Sequence, residues 1–198
     1  MRVIHIVAVL TLVAPALTAA PAVAGDAAVE LQRQADRVIG VLADRTTGGA
    51  ERQREVRAIF NDAFDFEEAA KRALGRAWAE RTPEERASFV TLFVDLLDRA
   101  YLRRLDAWDG QRIVVAEDVV NTDVAMVKAA IVARDGDRTP MDYVMRRCAD
   151  GHWRVVDVSV GGASLLGNYR VQFARLMQNG GFAHLMDKLQ AKVSSLQP

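Results

Sequence analysis

Histidine, cysteine and serine are the side chains through which this sequence could do metal, acid–base or acyl chemistry, and it uses few of them. Its 198 residues include three histidines, of which only His152 and His184 lie beyond the first stretch of the chain. Neither stands in a His-x-x-x-His or Cys-x-x-Cys spacing, so no metal site is predicted and both are assigned surface or structural roles. Cys148 is the single cysteine. It excludes an internal disulfide and, inside a strand pattern, is read as a small buried hydrophobe. Gly162-Ala163-Ser164-Leu165-Leu166 lacks the second glycine of a nucleophile elbow, so Ser164 is expected to cap a helix. The pairs Glu67-Glu68 and Glu84-Glu85 fall at helix starts, where capping and the helix dipole account for them. Asp157 with Tyr143 is the one titratable pair on which a small cavity hydrolase or isomerase could draw. Nothing compels an enzyme, and no cofactor is predicted.

The charge balance excludes other roles. The chain carries 26 basic and 26 acidic residues, whereas nucleic-acid binders show a marked basic excess. Bulk attraction to anionic membranes is excluded on the same ground. Residues 1–24 read as a secretory leader. Met1-Arg2 is a positive start, Val3 to Ala14 is almost wholly apolar, and Ala22-Val23-Ala24 offers small residues for a peptidase. The apolar run is too short, and too interrupted by Pro15 and Pro21, to span a bilayer, which takes about 20 residues. Residues 25–198 are then one exported domain, held by its core because it has no staple.

The elements that would position any site are organised around Thr82–Trp108. Thr82-Pro83-Glu84-Glu85 combines a capping box with proline at the first helical position. Phe89, Leu92, Phe93, Leu96, Leu97, Ala100, Tyr101, Leu105 and Trp108 follow at spacings of three and four, an apolar stripe on a helix about 38 Å long. Ahead of it, helices are expected at Asp26–Ala43, Ala50–Phe60 and after Asp65, whose carboxylate caps with Glu68 three residues on. Gly75 marks a break or a close contact. After Asp109-Gly110 the period changes. Arg112–Val120, Asp123–Arg134, Thr139–Cys148 and His152–Val160 read as strands, with turns at Asp135-Gly136-Asp137 and Asp150-Gly151. Two helices follow, from Ser164 and from Phe182, separated by Gly180-Gly181. Helices grouped before strands predict an α+β fold: a helical layer on a curved antiparallel sheet of about four strands, enclosing an apolar cavity.

Two blocks in this order carry a family resemblance. The first is Ile59-Phe60, Phe64-Asp65-Phe66, Ala70, Ala73-Leu74-Gly75, Trp78, Thr82-Pro83-Glu84, Phe89, Phe93, Leu96-Leu97 and Tyr101. The second is Tyr143, Gly151-His152-Trp153-Arg154-Val155, Asp157-Val158, Gly162-Ala163-Ser164-Leu165, Asn168-Tyr169-Arg170 and Gln172-Phe173. Together, behind a leader, they resemble the MlaC (toluene-tolerance) family of periplasmic phospholipid-binding proteins, over about Val29 to Leu189. One departure is visible: Gly161-Gly162-Ala163-Ser164 stands where the family usually has an acidic residue before Gly-Val-Ser.

The resemblance implies a periplasmic carrier that takes glycerophospholipid between an outer-membrane lipoprotein/porin complex and an inner-membrane ABC transporter complex. It also implies acyl tails held between sheet and helices. A related branch is associated with hopanoids, and a lipid-free adaptor is a third reading. On helical and strand phase, Phe93, Leu97 and Tyr101, with Tyr143, Met145 and Val158 on the sheet and Tyr169 and Phe173 on the penultimate helix, are expected to face the ligand.

Overall fold

A computed structural model describes residues 25–101 and 108–196. The expected leader and residues 102–107, into which the long helix was expected to run, lie outside the described residues. Five helices pack on an open antiparallel sheet. The helices are α1 (Asp26–Ala43), α2 (Gly49–Ala63), α3 (Phe66–Leu74), α4 (Pro83–Tyr101) and α5 (Leu165–Ser195). The strands β1 (Arg112–Asn121), β2 (Val124–Val132), β3 (Arg138–Arg147), β4 (Trp153–Val160) and β5 (Ala163–Ser164) pair in sequence order. The sheet is thus the four-stranded meander expected from the turns, extended by a two-residue fifth strand.

Local chemistry sets the helix starts. The Thr82 amide donates to Glu85 Oε2 at 2.9 Å and the Glu85 amide to Thr82 Oγ at 3.2 Å, a reciprocal cap. Asp65 accepts from the Glu68 amide at 3.0 Å. Gly75 does break the chain: with φ at 64° it ends α3, and a short 3-10 turn, Gly75–Glu80, leads to α4. Trp108 is not helical; its indole N–H donates to the Gln111 carbonyl at 2.9 Å. The two expected C-terminal helices are the arms of α5, kinked where Gly181 adopts φ 72°.

The sheet bends at two irregularities. The register slips between Val115 and Glu117 on β1, and Val156 is the extra residue where Val144 pairs with Asp157 but Met145 with Val155. One face meets α1, where Ala27, Ala28 and Leu31 pack on Ala125, Val127, Tyr143, Met145 and Val155. At the sheet edge the Gln32 amide donates to the Ile113 carbonyl at 3.3 Å and accepts from the Val115 N–H at 3.1 Å. A second apolar cluster joins α3, α4 and α5 around Phe89, Phe93, Leu96, Phe173 and Leu185. Cys148 departs from expectation: it is half-buried, with its Sγ 3.8 Å from Asp65 Oδ2 rather than among apolar side chains. No helix among the described residues is long and apolar enough to cross a membrane.

Candidate functional site

Seven of the eight residues expected at a ligand are divided between the two apolar clusters, and Tyr101 stands outside both. Phe93, Leu97, Tyr169 and Phe173 come together in the helical one. Phe93 meets the edge of Tyr169 at 5.2 Å and of Phe173 at 5.6 Å, and Tyr169 lies 5.5 Å from Phe173. Tyr169 and Phe173 sit one helical turn apart on α5 and Phe93 meets both from α4, which is why the two helices interlock there. Tyr143, Met145 and Val158 instead belong to the cluster between the sheet and α1. Burial at Tyr143 pushes its hydroxyl up to about 12.

Exposure sorts them further. A side chain lining a space wide enough for an acyl chain keeps some accessible surface, because a water-sized probe fits beside it. Phe93 keeps 0%, Met145 1%, Phe173 4% and Tyr143 6%. These four are packed against protein atoms. Leu97, Tyr169 and Val158 are half-buried, and Tyr101 is 41% exposed. Tyr101 and Tyr169 share a hydrogen bond; burial first, then this bond, raises the Tyr169 hydroxyl above its ordinary value. Met141, Phe64, Ile113 and Val115, which were not among the residues expected at a ligand, are the other half-buried apolar residues on the sheet cluster. The signal that could have found Met141, Ile113 and Val115 is their strand phase, shared with Tyr143, whereas Phe64 stands at the C-cap of α2.

The acid–base pair is not assembled. Tyr143 pairs with Val158 across β3 and β4, whereas Asp157 pairs with Val144, so Tyr143 and Asp157 point to opposite faces of the sheet. Asp157 is engaged elsewhere: it accepts from the Ser164 hydroxyl at 2.6 Å and from the amides of Val158 and Leu166 at 2.8 and 3.1 Å. Ser164 in turn accepts from the Gly167 amide at 2.8 Å, the capping role expected of it. An acidic side chain therefore does reach this turn, from β4 rather than from the segment before the serine. Among the described residues no group of three or more histidine, cysteine or acidic side chains could hold a metal.

A separate cleft of about 570 Å³ lies at the junction of α2 and α3 and includes none of the eight residues. It is lined by the stacked rings of Phe64 and Phe66 and by charged side chains, among them Asp65, Arg146, Asp150 and Arg154, which are already paired as Arg146–Asp65 and Arg154–Asp150. The half-buried fringe of the two clusters is the better candidate.

Known proteins share this architecture. The chain is similar to the phospholipid-binding protein of Ralstonia solanacearum, solved in complex with a phospholipid, with a TM-score of 0.77 over 87% of this chain and 99% of that one. At 23% identity the likeness speaks for the fold. It is also 22% identical to the Intermembrane phospholipid transport system binding protein MlaC of Haemophilus influenzae, over 84% of this chain and 81% of that protein. The model of the MlaC protein family matches residues 32–191, from α1 through the whole sheet to the second arm of α5. The layered fold and that span of matched sequence agree, and the chain belongs to the MlaC family.

Proposed function

We propose that this protein binds a phospholipid in the periplasm, with its acyl tails between the helical layer and the sheet, and carries it between an inner-membrane ABC transporter complex and an outer-membrane lipoprotein/porin complex. One observation carries the reading. Among the described residues the interior forms two apolar clusters rather than one, and each is fringed by half-buried apolar side chains: Leu97 and Tyr169 on one, Met141, Phe64 and Val158 on the other. A small domain ordinarily closes a single contiguous core. Tails seated along that fringe would complete both clusters. The names of the similar proteins, one a phospholipid transport component and one solved with phospholipid, support the same ligand class.

The energetics explain why a carrier is needed. Two tails of about 15 carbons, at about 0.8 kcal/mol per buried CH₂, cost about 24 kcal/mol to expose to water. The protein exchanges one apolar environment for another, so transfer from a membrane is close to balanced and works in both directions. The role is binding, not catalysis. In this reading Leu97, Tyr101, Val158 and Tyr169 touch the ligand, while Phe93, Phe173, Tyr143 and Met145 form the layer behind them.

The test is mass spectrometry of lipid extracted from protein purified out of its own cell envelope. Glycerophospholipid at near one molecule per chain supports the proposal. A polycyclic hopanoid replaces the ligand class, an empty protein points to an adaptor, and a chemically altered lipid restores the enzyme reading.

A further inference from the structure

We propose that the bond between Ala24 and Gly25 is the processing site of this chain, and that the α-ammonium freed there pairs with the Asp118 carboxylate on β1. The inference is independent of the lipid reading. The Gly25 nitrogen lies 2.9 Å from Asp118 Oδ1, and the Ala28 amide donates to Asp118 Oδ2 at 3.1 Å. Asp118 thus caps α1 across a separation of 93 residues. Gly25 itself supplies no side-chain cap.

Position 25 is shaped for this contact. A Cβ built on Gly25 would stand 2.7 Å from both Asp118 carboxylate oxygens, so any larger residue would push the carboxylate away. Among the small-x-small sites the sequence offers a leader peptidase are Ala20-Pro21-Ala22 and Ala22-Val23-Ala24. Only the second leaves the new terminus on the nitrogen that faces Asp118.

The reaction is hydrolysis by an envelope signal peptidase. Water adds across the Ala24–Gly25 amide, the acyl half leaves as the Ala24 carboxylate, and the Gly25 nitrogen takes a proton to become an ammonium. Before the cut, that nitrogen is a neutral amide with one hydrogen to donate. After it, the nitrogen carries a full positive charge and three donors. A cation at the start of a helix is disfavoured by the positive end of the macrodipole. Asp118 offsets both charges and turns an unfavourable terminus into a charge-assisted bond. Removing the leader thereby tightens the contact between α1 and β1.

Export of the full-length gene product, followed by N-terminal sequencing of the envelope protein, tests the bond: a chain starting at Gly25 is expected, and a start at Val23 or Asp26 overturns it. The pairing is tested with two forms of the domain, one beginning at Gly25 and one at Ala22, each with and without Asp118→Asn. The substitution lowers Tm in both forms, because the bond to the Ala28 amide weakens. The fall is expected to be larger by about 2–4 °C in the form beginning at Gly25. Equal falls in the two forms would show that no ammonium–carboxylate pair exists.

Discussion

Asp157 on β4 and Ser164 on β5 are joined by a 2.6 Å hydrogen bond that ties the last long strand of the sheet to the first turn of α5. The carboxylate also receives the amides of Val158 and Leu166. Replacing it by alanine leaves three donors short of an acceptor, so Asp157→Ala is expected to lower the unfolding free energy by about 2 kcal/mol. Urea titration measures this. An unchanged midpoint would mean that water replaces the carboxylate without loss.

Leu97 is the sharper probe of the ligand. It is half-buried on the fringe of the helical cluster, so under the proposed function a charged side chain there meets the tails before it meets the core. Leu97→Arg is expected to fold, with helical circular dichroism preserved, and to lose at least about nine-tenths of its co-purified lipid, the loss expected for a charge desolvated against hydrocarbon. Full lipid occupancy in the variant would remove Leu97 from the site.

Phe93, one turn earlier on the same helix face, is expected to behave in the opposite way. It is fully buried against Phe89, Tyr169 and Phe173. Phe93→Ala should cost about 3–5 kcal/mol of stability. The folded fraction should still carry lipid, because the wall in front of Phe93 is intact. Chemical denaturation beside lipid extraction on the same sample separates the two effects.

Asp65 gives a pH signature. Burial pushes its carboxyl up, but the Arg146 guanidinium and the Glu68 amide outweigh burial and hold it below the usual carboxylate range. A carboxyl with a lowered folded pKa contributes stability that is fully present above its unfolded value, about 3.9, and is lost as pH falls through the folded value. Asp65→Asn keeps a capping side chain and removes the charge. Arg146 is 40% exposed, so the pair is screened, and the variant is expected to be less stable by about 1 kcal/mol at neutral pH. The two proteins should converge below about pH 4, as the wild-type carboxyl takes up its proton. A gap that stays constant down to about pH 2.5 would assign the loss to packing instead of charge.

The fold was legible wherever the determinants are local. Thr82 with Glu85, Asp65 with Glu68, and Ser164 each announce a helix start within a few residues, and Gly136 and Gly151 mark turns at which both glycines take positive φ. The contacts that fasten one element to another were not legible. Asp118 to Gly25 spans 93 residues and Arg146 to Asp65 spans 81, and no periodicity announces such a pair. Faces were harder than spans, since the extra residue at Val156 puts Val155 on the same face as Val158, against simple alternation. The candidate site was half visible. Helical spacing put Phe93 and Leu97 on one stripe, but a stripe gives direction without depth. Depth separates a side chain packed on protein from one left for a ligand.

Gln32 presents its amide to the Ile113 carbonyl and the Val115 N–H, much as a neighbouring strand would present its own backbone. An open edge is where a second copy would add itself and begin a polymer. One side chain of α1 therefore acts as a stopper on that stretch of the edge. Removing that amide, as in Gln32→Ala, exposes a short run of backbone on which filaments could start.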